Sequence, residues 1–500
     1  MSGPHRLSSP PRFRLPELRD VTEGVGAEVL EPITLESTYY DTPDLRLARG
    51  GVILRHRSDD GWVVRFEPRE APSSAPETTQ TARGEHRFDG DPAGPPDAAL
   101  ELVRALVRTE KVAPVAKLRT RRRRIELHDE LGKTLGAITD DEVSVLQGRR
   151  VAARFRELEV DVHDGAPDAL ADAVAGRLRT AGAGPPDPTP KIVRALGWRA
   201  LEPPDVSSIA RMGPSPSGGD VLSAALAASA AQLIERDPGV RLGEDPEDVH
   251  QARVATRRLR SNLRTFRVML DREWTTSLRD RLRSFGQDLG AVRDTEVLSD
   301  RLRDRVDHLS AEDRDVAKRM LSRLHERWEA ARHTLQDTLR SPEYTKLLDD
   351  VVDAARDPAL LPEADGPASD VLPPLVDRLW NHVKTAVEEL DDDPPDEALH
   401  EVRRRARHCR YAAESVTPAI GKPAKAFARA MKDLQDVLGE HQDAAVAEQW
   451  LREVASESDG AETFVAGQLA SLERVEIERT RAAWPEAWRK ASRKRLRVWF

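Results

Sequence analysis

Between Asp245 and Leu270 the apolar residues Ala252, Ala255, Leu259, Leu263, Phe266 and Leu270 recur every three to four positions. That is the α-helical period, and it puts these side chains on one arc that packs into a core. The opposite arc carries His250, Arg253, Arg257 and Arg260, with Arg264 and Arg267 prolonging the row and Arg258 beside it. Spacings of i, i+3, i+7 and i+10 fall on one narrow face of a helix. Asp245 followed by Pro246 is a start signal for this helix. About 150 residues later the pattern returns, with Val402, Ala406, Cys409, Ala413 and Val416 on the apolar arc and His400, Arg403, Arg407 and Arg410 on the polar one. His408 adjoins this second row, and an acidic, Pro-rich run from Asp391 to Asp396 leads into it. Each row is followed by a second shared string, Leu289-Gly290 through Asp294 and Val297 in one copy, Leu438-Gly439 through Asp443 and Val446 in the other. Two matches in the same order at nearly the same separation indicate a duplicated helical unit.

A single Arg-rich stripe is ordinarily a solvated helix face. Such a face relieves like-charge repulsion, a few tenths of a kcal/mol per i,i+4 pair, with interleaved acids. Here the first row has no acid in its arc and the second has only Glu414. Uncompensated cations at equivalent positions of two repeats point to a site for an extended polyanion, and arginine suits it because its planar fork donates two hydrogen bonds to phosphate oxygens. His250 and His400, at the head of each row, have no second histidine at i+4, so they read as phosphate donors rather than metal ligands. Their protonation is expected to strengthen anion binding across about pH 5.5 to 8, where an unperturbed imidazole titrates.

Outside the repeat, the patterning before residue 203 is mostly two-fold. Leu54-Arg55-His56-Arg57, Val63 to Glu67, Leu118 to Ile125 and Glu157 to Val162 alternate as strands do. Pro203 to Gly219 is a Pro/Ser/Gly-rich linker, residues 357 to 374 form a second break, and a loop is expected from Ala71 to Gly84. The expected fold class is therefore a two-domain α+β protein, with an N-terminal antiparallel β-barrel or tunnel with helices and a C-terminal all-α domain of two duplicated helical bundles. Its boundaries are 1–202, 203–219 and 220–500, with repeats at about 220–356 and 375–500. On such a barrel Arg55 with Arg57, Arg119 with Arg121 and Arg123, and Glu157 with Glu159 and Asp161 would line a charged cavity that takes metal ions and phosphates together.

Length and composition narrow the class. Five hundred residues exceed one ordinary core. With 4% aromatic and 33% charged residues, no apolar run of membrane-span length and no signal-peptide core, a cytoplasmic protein without a membrane partner is expected. The lone Cys409 excludes an internal disulfide and reads as core packing. The net charge of −9 opposes a general nucleic-acid binder, but the acids concentrate in connecting stretches such as Glu244 to Asp248, leaving the Arg rows locally positive.

Tyr39-Tyr40-Asp41-Thr42-Pro43-Asp44-Leu45-Arg46-Leu47, Gly51 to Arg57, Gly61-Trp62, Asp140 to Val143, Phe155 to Val160 and Pro190 to Leu196 make residues 35 to 200 resemble the CYTH family of triphosphate tunnel metalloenzymes. The helical half resembles a CHAD domain, a family of duplicated helical bundles associated with inorganic polyphosphate. The resemblance implies that Arg55, Arg57, Arg65, Arg119, Arg121 and Lys191 contact phosphate in a tunnel, that Glu157 and Glu159 belong to a metal-binding set for Mg or Mn, and that His250, Arg253, Arg257, Arg258, Arg260, Arg264, His400, Arg403, Arg407 and Arg410 bind polyphosphate. The CYTH signature, a first-strand Glu-x-Glu-x-Lys, is absent: the strand expected at Pro10 to Leu18 begins Pro-Pro-Arg-Phe-Arg and holds only Glu17 as an acid. Fewer carboxylates weaken hard-cation binding. The expected function is thus polyphosphate binding by the helical half beside a degenerate tunnel of weak or no turnover. Two alternatives stay open, a metal-dependent triphosphatase or nucleotide cyclase acting on triphosphate or nucleotide in the tunnel, and a nucleic-acid-binding scaffold that also uses Arg489, Lys490, Arg493, Lys494, Arg495 and Arg497. Few aromatics interleave these arginines, which speaks against base stacking and specific nucleic-acid binding.

Overall fold

Alternating residues before position 163 build one antiparallel sheet. Its strands are β1 (His5–Ser9), β2 (Gly26–Val29), β3 (Ile33–Asp41), β4 (Val52–Arg57), β5 (Gly61–Phe66), β6 (Glu85–Phe88), β7 (Ala113–His128), β8 (Thr134–Gln147) and β9 (Arg150–Val162). They run in the order β1-β9-β8-β7-β3-β4-β5-β6, and β2 pairs with the far end of β7. The computed structural model describes residues 5–10, 12–19, 21–67, 84–163, 165–167, 169–187, 189–207 and 212–500, so most of the loop expected from Ala71 lies outside the described residues. The chain divides into two units, Met1–Pro204 and Asp205–Phe500.

In the first unit the helices α1 (Arg46–Arg49), α2 (Asp97–Leu102), α3 (Arg104–Val107), α4 (Leu170–Thr180) and α5 (Lys191–Leu196) accompany the sheet. Directly paired residues of an antiparallel ladder share a face. Leu7, Ile125, Leu127, Ile138, Leu158 and Val160 lie on one face and bury against Leu170, Val174 and Leu178 of α4. Each such aliphatic side chain contributes about 1.5–3 kcal/mol when fully buried. Gly136 lets β8 approach β9 closely, since a Cβ there would sit 2.4 Å from the Asp161 carbonyl oxygen. The first strand is not where the sequence pattern put it. It is His5–Ser9, paired with β9, whereas Pro10 and Pro16 in the expected segment have no N–H for a ladder, and Phe13 and Leu18 are buried in the core instead.

The second unit is helical: α6 (Gly218–Leu242), α7 (Pro246–Thr265), α8 (Arg272–Val306), α9 (Ala311–Arg340), α10 (Pro342–Arg356), α11 (Ala368–Val371), α12 (Pro373–Glu388), α13 (Asp396–Ile420), α14 (Lys422–Glu457) and α15 (Ala461–Ala491). Ser217 and Asp220 close a capping box on α6, and Asp245 accepts from the Glu247 amide at the start of α7 with Pro246 in the first turn. The apolar arcs are buried as their period requires: Ala252, Ala255, Leu259 and Leu263 on α7, and Val402, Ala406, Cys409, Ala413 and Val416 on α13, are no more than 1% exposed. Helix α7 packs between α6 and α8, α13 packs between α12 and α14, and α7 and α13 meet each other. No helix among the described residues is long and apolar enough to cross a membrane.

Candidate functional site

The two basic rows come together where α7 meets α13. Arg257 and Arg407 are close enough to destabilise each other's charge, and Arg253 and Arg403 add to the repulsion. Burial is the larger cause, and together these effects hold both guanidinium groups below their usual range. A cavity of about 560 Å3 opens beside them, lined by Arg257, Arg260, Arg264, Arg279, Arg404, Arg405 and Arg407, with His382 and His408 and a single carboxylate, Glu401. Glu401 is taken by Arg404 at 2.8 Å and Arg405 at 2.7 Å. Among the described residues the other five arginines have no carboxylate partner.

The second shared string explains how the rows are held. Leu289 and Leu438 are buried, and the glycines after them face the arginines: a Cβ on Gly290 would lie 3.5 Å from Arg253 Nη2, and one on Gly439 would lie 3.5 Å from Arg403 Nε. A side chain longer than alanine would contest the guanidinium's place. Asp294, one turn further on, accepts from Arg253 Nη1 at 2.7 Å and Nη2 at 3.0 Å. Its counterpart Asp443 has its carboxyl pKa raised by burial against the opposing pull of Arg403 and Arg301. His400 Nδ1 lies 2.6 Å from Gln442 Oε1, and His250 faces Arg293, the residue at the same place in the other string.

Not every row residue is open. Arg258 Nη2 is 2.7 Å and Arg410 Nη1 3.3 Å from Glu414, and the two guanidinium groups flank the Tyr411 ring at 5.0 and 4.8 Å. Arg253 is held by Asp294. Arg257, Arg260, Arg264, Arg403 and Arg407 remain without an ion-pair partner among the described residues. Arg279 on α8 and His382 on α12 were not legible in the repeat, because they come from neighbouring helices and carry no motif of their own.

Burial, seconded by nearby arginines, lowers the imidazole pKa of both His250 and His400. The window expected from an unperturbed imidazole is therefore displaced downward in the free protein. A bound phosphate favours the imidazolium, so the bound pKa exceeds the free one and affinity climbs as pH falls through the bound value, continuing until pH drops below the free value. Polyphosphate affinity is expected to be nearly flat from pH 8 to 7 and to increase below about pH 6.5, with the increase abolished by His250→Gln together with His400→Gln. An unchanged pH profile in that variant would assign the dependence elsewhere.

In the first unit the strand register sorts the remaining candidates. Arg55, Arg57, Arg65, Glu157 and Glu159 share one face with Arg122, Arg124 and Asp141. Arg119, Arg121 and Arg123 are on the reverse face, where Arg119 pairs with Glu36 at 3.0 Å and Arg123 with Glu142 at 3.1 Å. The shared face is internally neutralised. Asp60 accepts from Arg55 and Arg57, each at 3.0 Å, and from Arg87, Arg65 pairs with Glu67 at 3.2 Å, and Asp141 holds Arg122 at 2.8 Å. Lys191 bridges Asp141 at 2.5 Å and Glu157 at 3.0 Å, which raises its pKa against the cost of burial, while Arg6 faces Glu159 at 3.5 Å. These donors do not fit a divalent ion: ammonium and guanidinium groups already satisfy the carboxylates, and among the described residues no three acidic, His or Cys side chains are grouped to hold one. Where the family's first strand has acids, β1 turns Arg6 and Ser8 to this face.

This fold and these two charged surfaces define a protein in which a CYTH domain precedes a CHAD domain. Residues 7–182 match the CYTH domain family and residues 224–452 the CHAD domain family, and the chain belongs to the group that joins the two. Uncharacterized proteins from two strains of Mycobacterium tuberculosis are 31% identical to it over 499 residues, spanning 95% of this chain and 93% of theirs. Among solved structures, PptA from Streptomyces chartreusis superposes with a TM-score of 0.47 at 23% identity, covering 55% of this chain and 99% of its own. The CHAD domain from the plant Ricinus communis gives 0.46 at 26% identity, covering 56% and 95%.

Proposed function

We propose that the second unit binds inorganic polyphosphate through the cavity between α7 and α13. The observation that carries this reading is the group of five arginines without carboxylate partners, Arg257, Arg260, Arg264, Arg279 and Arg407, gathered from both repeats around one cavity. Such crowding opposes folding unless a ligand's negative charge offsets it. A linear phosphate chain supplies that charge at short, regular intervals, and its oxygens match the guanidinium fork. His250, Arg253, His400 and Arg403 extend the contact along the two rows.

The nucleic-acid reading gains little here. Tyr411 is the one aromatic ring lining the cavity, and it is clamped between Arg258 and Arg410 with no face free for a base. The triphosphatase and cyclase readings gain little from the first unit, whose cations hold internal acids.

Replacing Arg253, Arg257, Arg403 and Arg407 together by Ala is expected to abolish binding of long-chain polyphosphate in a filter or calorimetric assay. Affinity equal to that of the unmodified protein would remove the proposal, and RNA outcompeting polyphosphate at fixed ionic strength would transfer it to nucleic acid.

A further inference from the structure

The two repeats meet about a local two-fold relation in which positions about 150 apart correspond, but the side chains on its two flanks differ. On one flank Arg258 reaches Glu414 at 2.7 Å, and Arg410 reaches the same carboxylate at 3.3 Å. Tyr411, 3% exposed, fills the space between those guanidinium groups. The corresponding positions on the other flank hold His408 for Arg258, Arg264 for Glu414, Arg260 for Arg410 and the small Ser261 for Tyr411. There His408 Nε2 lies 3.1 Å from Thr265 Oγ1, and burial beside Arg264 pushes the imidazole down to about 3, so it stays uncharged. Arg260 and Arg264 have no carboxylate partner, and Arg279 joins them. One flank is therefore plugged by an aromatic ring and neutralised by an acid. The other is roomy and cationic.

We propose that the cavity is single-ended: it admits the end of a polyphosphate chain from the Arg264 side and stops it against Tyr411, so the ligand recognised is the chain terminus and not an internal stretch. This rests on the polyphosphate reading and adds a polarity to it. Two physical facts favour the terminus. An internal stretch needs two exits, and the Tyr411–Glu414 flank provides none. A terminal phosphate also carries a second charge near neutral pH, its second pKa being about 6, whereas an internal phosphate carries one. The doubly charged group offsets the mutual repulsion of Arg257 and Arg407 better.

The test uses the full chain and polyphosphates of short, medium and long length. At saturation the protein bound per chain is expected to be the same at every length, following the number of ends. Chains whose terminal phosphates have been capped with an amine are expected to bind about tenfold or more weakly, the loss of a charge-assisted contact. Bound protein rising in proportion to chain length, or capped chains binding as well as free ones, would overturn the inference while leaving polyphosphate binding intact. No binding of any chain by the unmodified protein would overturn the polyphosphate reading and this inference with it. In a second arm, Tyr411→Ser with Glu414→Arg copies the open flank onto the closed one. It is expected to bind capped long chains as tightly as free ones, and a variant that folds but still rejects capped chains would count against the plug.

Discussion

Replacing Arg257 and Arg407 together by Met will weaken polyphosphate binding by about 10²- to 10⁴-fold and, in the same protein, raise the thermal midpoint measured without ligand. The first effect follows from losing two charge-assisted contacts at about 1.5–3 kcal/mol each. The second follows from the state of these groups in the free protein, where burial and the neighbouring arginines already hold both guanidinium groups below their usual range. Met keeps the aliphatic stem that packs the helix face and removes the charge, so the free protein is expected to gain roughly 1–3 kcal/mol, one pKa unit of relief being about 1.4 kcal/mol. Opposite signs in the two measurements distinguish a ligand site from a structural one. A structural pair would lose stability on substitution, and a solvated face would change neither quantity. The salt dependence should change as well: each removed phosphate contact lowers the slope of log affinity against log salt by about 0.7 to 0.9, so a variant with an unaltered slope would show that these arginines touch no ligand.

Glu473→Ala will destabilise the second unit by about 3–5 kcal/mol, read as a fall in the denaturation midpoint with intact helical content below it. Glu473 on α15 has no exposed surface and receives Arg301 Nη2 at 2.6 Å and Arg305 Nε at 2.9 Å, both from α8. Arg301 also holds Glu440 of α14 at 2.6 Å, so one carboxylate and one guanidinium tie three helices together beside the second Leu-Gly string. Removing the acid leaves Arg301 and Arg305 facing each other with only Glu440 to compensate. A loss below about 1 kcal/mol would mean that water reaches these guanidinium groups and that the pairs behave as surface ones.

The helical half was the more legible one. Its apolar arcs repeat at the helical period and must be buried, because each exposed aliphatic residue would forgo about 1.5–3 kcal/mol, and every arc residue on α7 and α13 is buried. Charged rows on the reverse arc follow from the same geometry. The sheet was harder. Arg121 to Arg124 are four consecutive arginines, so a two-residue alternation puts cations on both faces of β7, and a shift of one position exchanges the faces. The register with β8 and β9 puts Arg122, not Arg121, beside Asp141 and Glu157, and that parity was not readable from the alternation. Asp60, which gathers Arg55, Arg57 and Arg87, belongs to the turn after β4 and carries no pattern at all.

Spacing along the chain was sufficient for the duplication, the helix phases, the strands and the positions of the two cationic rows, because each of these is a local consequence of backbone period and of removing apolar surface from water. Pairing was another matter. Whether a given arginine meets a carboxylate, as Arg258 meets Glu414, or meets another arginine, as Arg257 meets Arg407, depends on which residues distant in sequence arrive within a few ångströms. Electrostatic energy depends on distance in space and on burial, neither of which is written in residue order. The open and closed flanks of the cavity arise in this way, from two repeats similar as strings that become unlike once folded against each other.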